Sequence, residues 1–505
     1  MMEESLGTLG PRRLVSGGAW FLALMILSGV FWLLLGVQIS RAYGPAGYGL
    51  FSMAQSVFDF VWAFIFGGLF EGLIHFGCGY LTQKDSNVAK FFSKYVRYLT
   101  IMSIIVFYIL ILLFFQMPNA IMRTFALSLA FAFLFSGTKD ALASILGSQH
   151  KSKQLSIINS IGFYVVSILG IVVILMKLPF DLLPVLIIFG PLSQLLFCMY
   201  FLRPYLKDLI LFNVNFFTNK QLKHAIIDDL HRFKHLFLFG FSISVGKISF
   251  MVMKSLDIPL LNLFFDLSNV GIYSVADSIS SVLFSMTAFS LPILSSISEA
   301  WTTKDNSLIE KYSKISVKYP LILGIPLTAI IFTLAEPIVV EIYGIQFQGA
   351  VIPLQILIVG TFLLMLGYTL TSVLIGIGKP KLSGMLLAGA AIQYIVSLII
   401  FVPFFGLNGA AISLTLTGIT SLILIPIFIR KHLMVDVFSG LPKVLFSVAV
   451  LSIFLFLLPK SNGYLLVFGT IIGVVIYVLL LRYTGYLTKE DIDMLRTVGK
   501  PQESC

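Results

Sequence analysis

The sequence is short of charge. Only 11% of its 505 residues are Asp, Glu, Lys or Arg, whereas 58% are hydrophobic, and the mean hydropathy is +0.99. Soluble domains carry roughly a quarter charged residues. A chain this apolar cannot hide its surface from water in a globular core, so a soluble fold is excluded and lipid becomes the solvent. Cysteine is scarce as well. Cys78, Cys198 and Cys505 show no CxxC spacing and no neighbouring His cluster, which excludes a disulfide framework and a zinc centre. Cys78 and Cys198 lie in or beside apolar runs and read as packing residues. The net charge of +11 comes without any cluster of basic and aromatic residues on a soluble segment, so nucleic-acid binding is excluded.

An ATP engine is also missing. Gly240 to Lys247 comes near the phosphate-binding loop GxxxxGK[ST], but the spacing is one residue too long and Ile248 replaces the hydroxyl. The segment lies in an apolar run rather than in a strand–turn–helix context. No loop carries a catalytic constellation. The longest outside loop, Glu336 to Gly349, is too small for sugar-transfer machinery. These gaps argue for a transporter rather than an enzyme, with no cofactor and no metal.

What the chain does have is a long series of apolar runs. About twenty such residues cross a bilayer as a helix, and fourteen runs qualify. The first seven are Leu14–Ile39, Gly49–Gly77, Tyr95–Gln116, Ala120–Leu146, Leu155–Met176, Leu182–Leu202 and Phe233–Phe265. The second seven are Val270–Ile297, Ser316–Ala335, Val351–Ile375, Leu382–Phe405, Leu407–Ile429, Val444–Leu458 and Tyr464–Leu481. The first run, preceded by Arg12 and Arg13, is too long for the core of a cleaved signal peptide and reads as a retained helix. Cytoplasmic loops hold the excess of Lys and Arg, and with the N-terminus inside the count separates cleanly. Of 34 basic residues, only Arg41, Arg123, Lys177 and Lys460 fall outside, and Lys139, Lys247 and Lys254 fall within spans. Both termini are therefore expected in the cytoplasm, with the protein in the cytoplasmic membrane. The inside loop from Arg203 to Arg232 mixes apolar and basic residues, the pattern of a segment lying on the inner membrane surface.

The chain also repeats itself. Gly49 to Val57 reads GLFSMAQSV, and 222 residues later Gly271 to Ile279 reads GIYSVADSI. Leu146 to Lys151 (LGSQHK) closes the fourth span, and Ile375 to Lys381 (IGIGKPK) closes the tenth. Each echo joins span n to span n+6, so the two copies share one orientation and an axis along the membrane normal relates them. Small-residue helix packing alone produces such strings, but not twice at nearly the same offset and in matching topological positions. The expected fold is all-α and integral to the membrane. Two six-helix bundles related by a pseudo-two-fold are followed by two extra helices. The limits are 1–210 for the first bundle, 211–232 for an interfacial loop, 233–431 for the second bundle and 432–505 for the extra helices and tail.

Ile39-Ser40-Arg41-Ala42-Tyr43-Gly44-Pro45-Ala46-Gly47-Tyr48-Gly49 resembles the SR-x-x-GP-x-x-YG signature of the polysaccharide-transporter, or O-antigen flippase, family. That family belongs to the multidrug, oligosaccharidyl-lipid and polysaccharide exporter superfamily. Ile342-Tyr343-Gly344, Gly376 to Pro380 and Phe405 to Ala411 agree in order and spacing. The resemblance covers spans one to twelve. It implies a flippase that carries a lipid-linked oligosaccharide, through its phosphate or pyrophosphate, across the cytoplasmic membrane by alternating access. Membrane lipids are the other implied partner. A cation-coupled drug antiporter of the same superfamily is the second reading, and a membrane enzyme of envelope assembly the third.

An ionisable group at a helix centre costs about 2.5–3.5 kcal/mol on insertion scales, so such groups mark an interior or a wet cavity. Here they are Asp59, Glu71 and His75 in span two, Lys139 and Asp140 in span four, Lys247, Lys254 and Asp257 in span seven, and Asp277 in span eight. Lys247 and Lys254 are seven apart and share a helical face. Two ammonium groups on one wall attract a phosphate or pyrophosphate, and Lys139 and Arg41 add charge. Internal pairing competes with that reading, because Lys254 and Asp257 are at i,i+3, Lys139 adjoins Asp140, and Glu71 and His75 are at i,i+4. Asp59 and Asp277 are candidates for a coupling H+ or Na+. Ser274, Asp277, Ser278, Ser281 and Ser285 form a polar stripe suited to sugar hydroxyls or to helix–helix hydrogen bonds.

Overall fold

The computed structural model describes residues 4–82, 88–115, 120–149, 151–203, 245–284, 304–433, 440–458 and 463–488, with 294, 297–298 and 300–301. Within these helices the side chains of residues 4–23, 25–26, 67–72, 74–82, 88–91, 94, 114, 120–122, 152, 432 and 463 fall outside the description. Every regular element among the described residues is helical. In order these are α1 (Glu4–Thr82), α2 (Val88–Phe114), α3 (Ala120–Ser148), α4 (Ser152–Leu175), α5 (Leu182–Leu186) and α6 (Phe189–Phe201). After a helical stretch at 245–255 come α7 (Asp257–Phe264), α8 (Leu267–Ser280), α9 (Asn306–Thr333), α10 (Ala335–Ile342) and a 3₁₀ turn (Ile345–Ala350). The last five are α11 (Val351–Gly376), α12 (Pro380–Phe405), α13 (Leu407–His432), α14 (Leu441–Leu457) and α15 (Gly463–Tyr483).

Ten of the described helices are long and apolar enough to cross a membrane, and Leu441–Leu457 is a shorter apolar helix. The chain is a multi-pass membrane protein. The difference from fourteen runs has local causes. The first candidate, Leu27–Phe66, has 40 residues, about 60 Å if straight, twice the hydrocarbon thickness. Gly44, at φ 67° and ψ −170°, breaks it into two, and Pro45 then opens the second helix, where its missing N–H costs nothing. Runs seven and eight are cut by residues outside the description. Run thirteen is the short α14.

The chain forms two compact units, Ala23–Gly271 and Ile272–Cys505, the latter joined by Met1–Leu22. In the first unit, α2 lies along α3 at Gly137, where an added Cβ would overlap Ser103 Oγ and sit 3.0 Å from Leu99 O. Around that crossing, Phe66, Leu73, Tyr95, Leu99 and Phe133 make one core. Phe92, Leu142, Leu146, Ile158, Leu195, Cys198 and Leu202 make another. The buried hydroxyls of Ser103, Ser136 and Ser144 donate to carbonyls of their own helices, which satisfies them where water is absent.

The echoed glycines meet inside this unit. A Cβ on Gly49 would overlap Leu267 O and lie 2.8 Å from Gly271 N, and a Cβ on Gly271 would overlap Pro45 O and lie 2.9 Å from Gly49 N. Pro45 and Leu267 are themselves 222 residues apart, as are Gly49 and Gly271. The contact is therefore reciprocal: each glycine is met by the carbonyl four residues before the other. The helix break is repeated too. Where the first copy has Gly44, the second has Phe265 in an extended conformation and Asp266, whose carboxylate accepts from Asn269 N at 3.1 Å as a helix cap.

In the second unit, α11 crosses α13 through small residues. A Cβ on Gly360 would lie 2.8 Å from Thr415 Cα, and one on Gly418 2.9 Å from Gly360 O. Close backbone approach replaces the hydrophobic effect as the source of helix association in lipid. The two last helices pack on α9 through Ile322, Val444, Leu451, Leu455, Tyr477 and Leu481, and the Tyr477 hydroxyl donates to Ile322 O at 2.9 Å. Tyr477→Phe is expected to lower stability by about 1 kcal/mol, the net worth of one such bond, measured by thermal unfolding in detergent. On the opposite side of α15, Tyr464 and Tyr483 are 82% and 89% exposed, with Phe468, Ile472, Val475 and Leu479 exposed between them. Nineteen residues of helix place the two phenols about 28 Å apart, the spacing of the two interfaces where tyrosine collects.

Candidate transport site

Span four brings Lys139 and Asp140 to the interior of the first unit on α3, and α1 brings Trp62 to them. Lys139 Nζ lies 2.6 Å from Asp140 Oδ1, with side chains 11% and 5% exposed. Trp62 Nε1 donates to the other oxygen, Oδ2, at 2.8 Å. The same ammonium stands 5.8 Å from the Trp62 ring centroid, within cation–π range. Both carboxylate oxygens are thus engaged, and Lys139 is an ion-pair partner that an incoming anion would have to win from Asp140.

One turn from Trp62 on the same helix, Gln55 Nε2 donates to Asp59 Oδ1 at 3.0 Å. The charge of Lys254 also acts on Asp59, although the two are far apart in sequence. Lys254 is half-buried. Lys247 and Lys254 both lie on the helical stretch 245–255, two turns apart and half-buried. Just beyond, the helix is interrupted at Leu256, because Pro259 has no N–H to offer the carbonyl of Ser255. Asp257, buried at the start of α7, accepts from Ile258 N at 2.9 Å.

In α8 the polar stripe partly satisfies itself. Ser280 Oγ donates to Asp277 O at 3.0 Å and Ser281 Oγ to Ser278 O at 3.0 Å. Ser274 is buried and Asp277 half-buried, while Ser285 lies outside the described residues. The two echoes differ here by one helical turn. Gln55 and Asp59 in the first correspond to Asp277 and Ser281 in the second, so each copy keeps one acid on this face. Arg41 is exposed, one turn before the break at Gly44. The side chains of Glu71 and His75 lie outside the described residues. Among the described residues, no group of three His, Cys, Asp or Glu side chains is arranged to hold a metal.

The sequence reading missed Trp62 and Gln55. The signal for Gln55 was present, since it stands four residues before Asp59 and i,i+4 partners touch on a helix. Trp62 gave none, because a tryptophan in an apolar run reads as packing.

The profile of a family described as polysaccharide biosynthesis protein matches residues 14–298, more than half of the chain. No curated protein sequence matches significantly. Among solved structures, lipid II flippase MurJ in an inward closed conformation is similar, with a TM-score of 0.71 at 16% identity over 91% of this chain and 97% of that one. A multidrug resistance MATE family transporter of the MOP superfamily, inward-facing, gives a TM-score of 0.62 at 15% identity over 80% of this chain and 95% of that one. An outward-facing structure of a MATE transporter gives 0.59 at 15% identity over 84% and 96%. At these identities the likeness establishes the fold.

Proposed function

Because the chain belongs to the polysaccharide biosynthesis protein family and has the fold of MurJ and the MATE transporters, we propose that it is a flippase for a lipid-linked oligosaccharide. It is a transporter and not an enzyme. In this reading the substrate's phosphate or pyrophosphate is met by Lys247 and Lys254, and Lys139, Arg41, Asp59 and Asp277 are the further candidates for the transport path. The observation that carries it is the placement of Lys247 and Lys254, two turns apart and both half-buried on the helical stretch 245–255. Two ammonium groups on one face of a membrane helix suit a phosphate, because an intramembrane cation needs an anionic partner.

The proposal includes alternating access between bundles 1–210 and 233–431, joined by 211–232 and followed by 432–505, in the cytoplasmic membrane with both termini inside. The reciprocal contact at Gly49 and Gly271 supports the duplicated design. Movement against a gradient would need H+ or Na+, for which Asp59 and Asp277, with Asp140, Asp257, Glu71 and His75 as pairing partners, are the candidates. The MATE likeness keeps a cation-coupled drug antiporter as the second reading.

The double substitution Lys247→Ala with Lys254→Ala separates the two. Loss of two charge-assisted contacts is expected to slow flipping of a lipid-pyrophosphate oligosaccharide in vesicles by about tenfold or more. Folding, followed by size-exclusion chromatography, is expected to persist. Undiminished flipping removes the lysines from the site. Drug export by the native protein with no flipping selects the antiporter.

A further inference from the structure

The turn that carries the second echo, IGIGKPK, expected on the cytoplasmic side from the distribution of Lys and Arg, contains lysines at positions where helix physics disfavours them. Helix α11 ends in a paired-bond cap, with Gly378 N on Ile375 O at 3.0 Å and Lys379 N on Leu374 O at 2.9 Å, and Gly378 takes the left-handed conformation at φ 76°. That is the usual role of glycine. Beside it another helix ends with the same pair of bonds, Lys304 N on Trp301 O at 3.2 Å and Asp305 N on Ala300 O at 3.0 Å. Here the left-handed residue is Lys304, at φ 56°, where a side chain meets strain that glycine does not. The next helix compounds the anomaly. Lys379 is the N-cap of α12 with no side-chain cap bond, and Lys381 falls in the first turn, where the helix dipole opposes a cation.

The two helix ends adjoin. A Cβ on Gly378 would lie 3.7 Å from Trp301 Nε1, and one on Gly376 2.7 Å from Ile297 Cγ2. Trp301 is 42% exposed, and Lys304, Lys379 and Lys381 are exposed around it. The acid at hand is committed elsewhere. Asp305 Oδ1 accepts from Ser307 N at 3.0 Å and Leu308 N at 3.1 Å to start α9. These bonds, led by that from the Ser307 hydroxyl, hold its carboxyl below the usual range. Glu299 lies outside the described residues. The turn joins two candidate spans, Ile345–Gly376 and Pro380–Phe405, so it sits at the level of the lipid headgroups. An indole and several ammonium groups at that level match a phosphate at the rim of the apolar layer.

We propose that Trp301, Lys304, Lys379 and Lys381 form a docking surface for anionic phospholipid headgroups of the inner leaflet. Local preference was given up at each lysine, and sites where local physics is overridden are where function concentrates. The surface belongs to the second unit alone and does not depend on the transported substrate.

The test uses the full chain in phosphatidylcholine vesicles containing, at equal mole fraction, either brominated phosphatidylglycerol or brominated phosphatidylcholine. The emission of Trp301 is taken as the difference between the protein and its Trp301→Phe variant. Brominated phosphatidylglycerol is expected to be enriched around Trp301 about fivefold, the effect of one well-placed lysine. Salt at high concentration is expected to erase the preference by screening. Lys304→Gly with Lys379→Gln and Lys381→Gln is expected to abolish it, while Lys151→Gln with Lys153→Gln leaves it in place. Equal quenching by the two lipids in the native protein overturns the proposal, and so does a preference that survives the triple substitution. If the triple variant fails to fold, the native comparison and its salt dependence decide alone.

Discussion

Alanine at Gly49 or Gly271 is expected to cost about 3 kcal/mol, the upper range for forcing volume into a packed site. Each added methyl would strike main-chain atoms, Leu267 O in one case and Pro45 O in the other, and backbone cannot rotate aside as a side chain can. The melting temperature in detergent is expected to fall by about 3 °C, the shift that such a loss gives in a chain of this length. The two substitutions enter one contact, so they are not independent. Once the first has pushed the helices apart, the second finds room, and the double variant is expected to lose less than the two single losses combined. Additive losses would show that the glycines act separately. Gly29 and Gly389, where an added Cβ meets nothing within 4 Å, are the controls, and alanine there is expected to be neutral or mildly stabilising.

Removing the Asp140 carboxylate is expected to be the most damaging change among the charged residues. Asp140→Ala leaves the Lys139 ammonium buried without its counter-charge and Trp62 Nε1 without its acceptor. Breaking one side of a buried pair costs about 3–5 kcal/mol. Lys139→Met combined with Asp140→Leu removes both charges, and is expected to recover most of the loss. Yield of monodisperse protein and thermal unfolding measure both variants. If the double variant transports normally, Lys139 has no part in substrate binding and the pair is structural. If it folds and fails to transport, the pair lies on the transport path.

Much of the architecture was readable as letters. The apolar runs place α3, α4, α11, α12, α13 and α15 within a few residues, because a bilayer demands length and apolarity together, whereas α2 begins at Val88, before its run starts at Tyr95. The echo at Gly49 and Gly271 raises the expectation of a repeat, but letters at a fixed offset do not say whether the two segments touch. Only the carbonyls of Pro45 and Leu267 lying over the opposite glycines reveal that. The Lys139–Asp140 pairing was visible because adjacent charges in lipid seek each other. The interaction of Lys254 with Asp59 was not, since helical periodicity orders residues within a span and carries no information on which spans are neighbours. The cap at Asp266 hid for a different reason. An acidic residue starting a helix replaces a left-handed glycine at the equivalent point, and two unlike residues produce the same bend.

The two phenols of α15 have a consequence for the surroundings in which the protein works. Anchored at Tyr464 and Tyr483, this helix accepts one thickness of hydrocarbon without tilting. Thinner or thicker sheets impose a mismatch penalty of a fraction of a kcal/mol per ångström. Acyl-chain length is thereby a control on the protein's orientation, and compartments with unlike sterol or chain content would sort it accordingly.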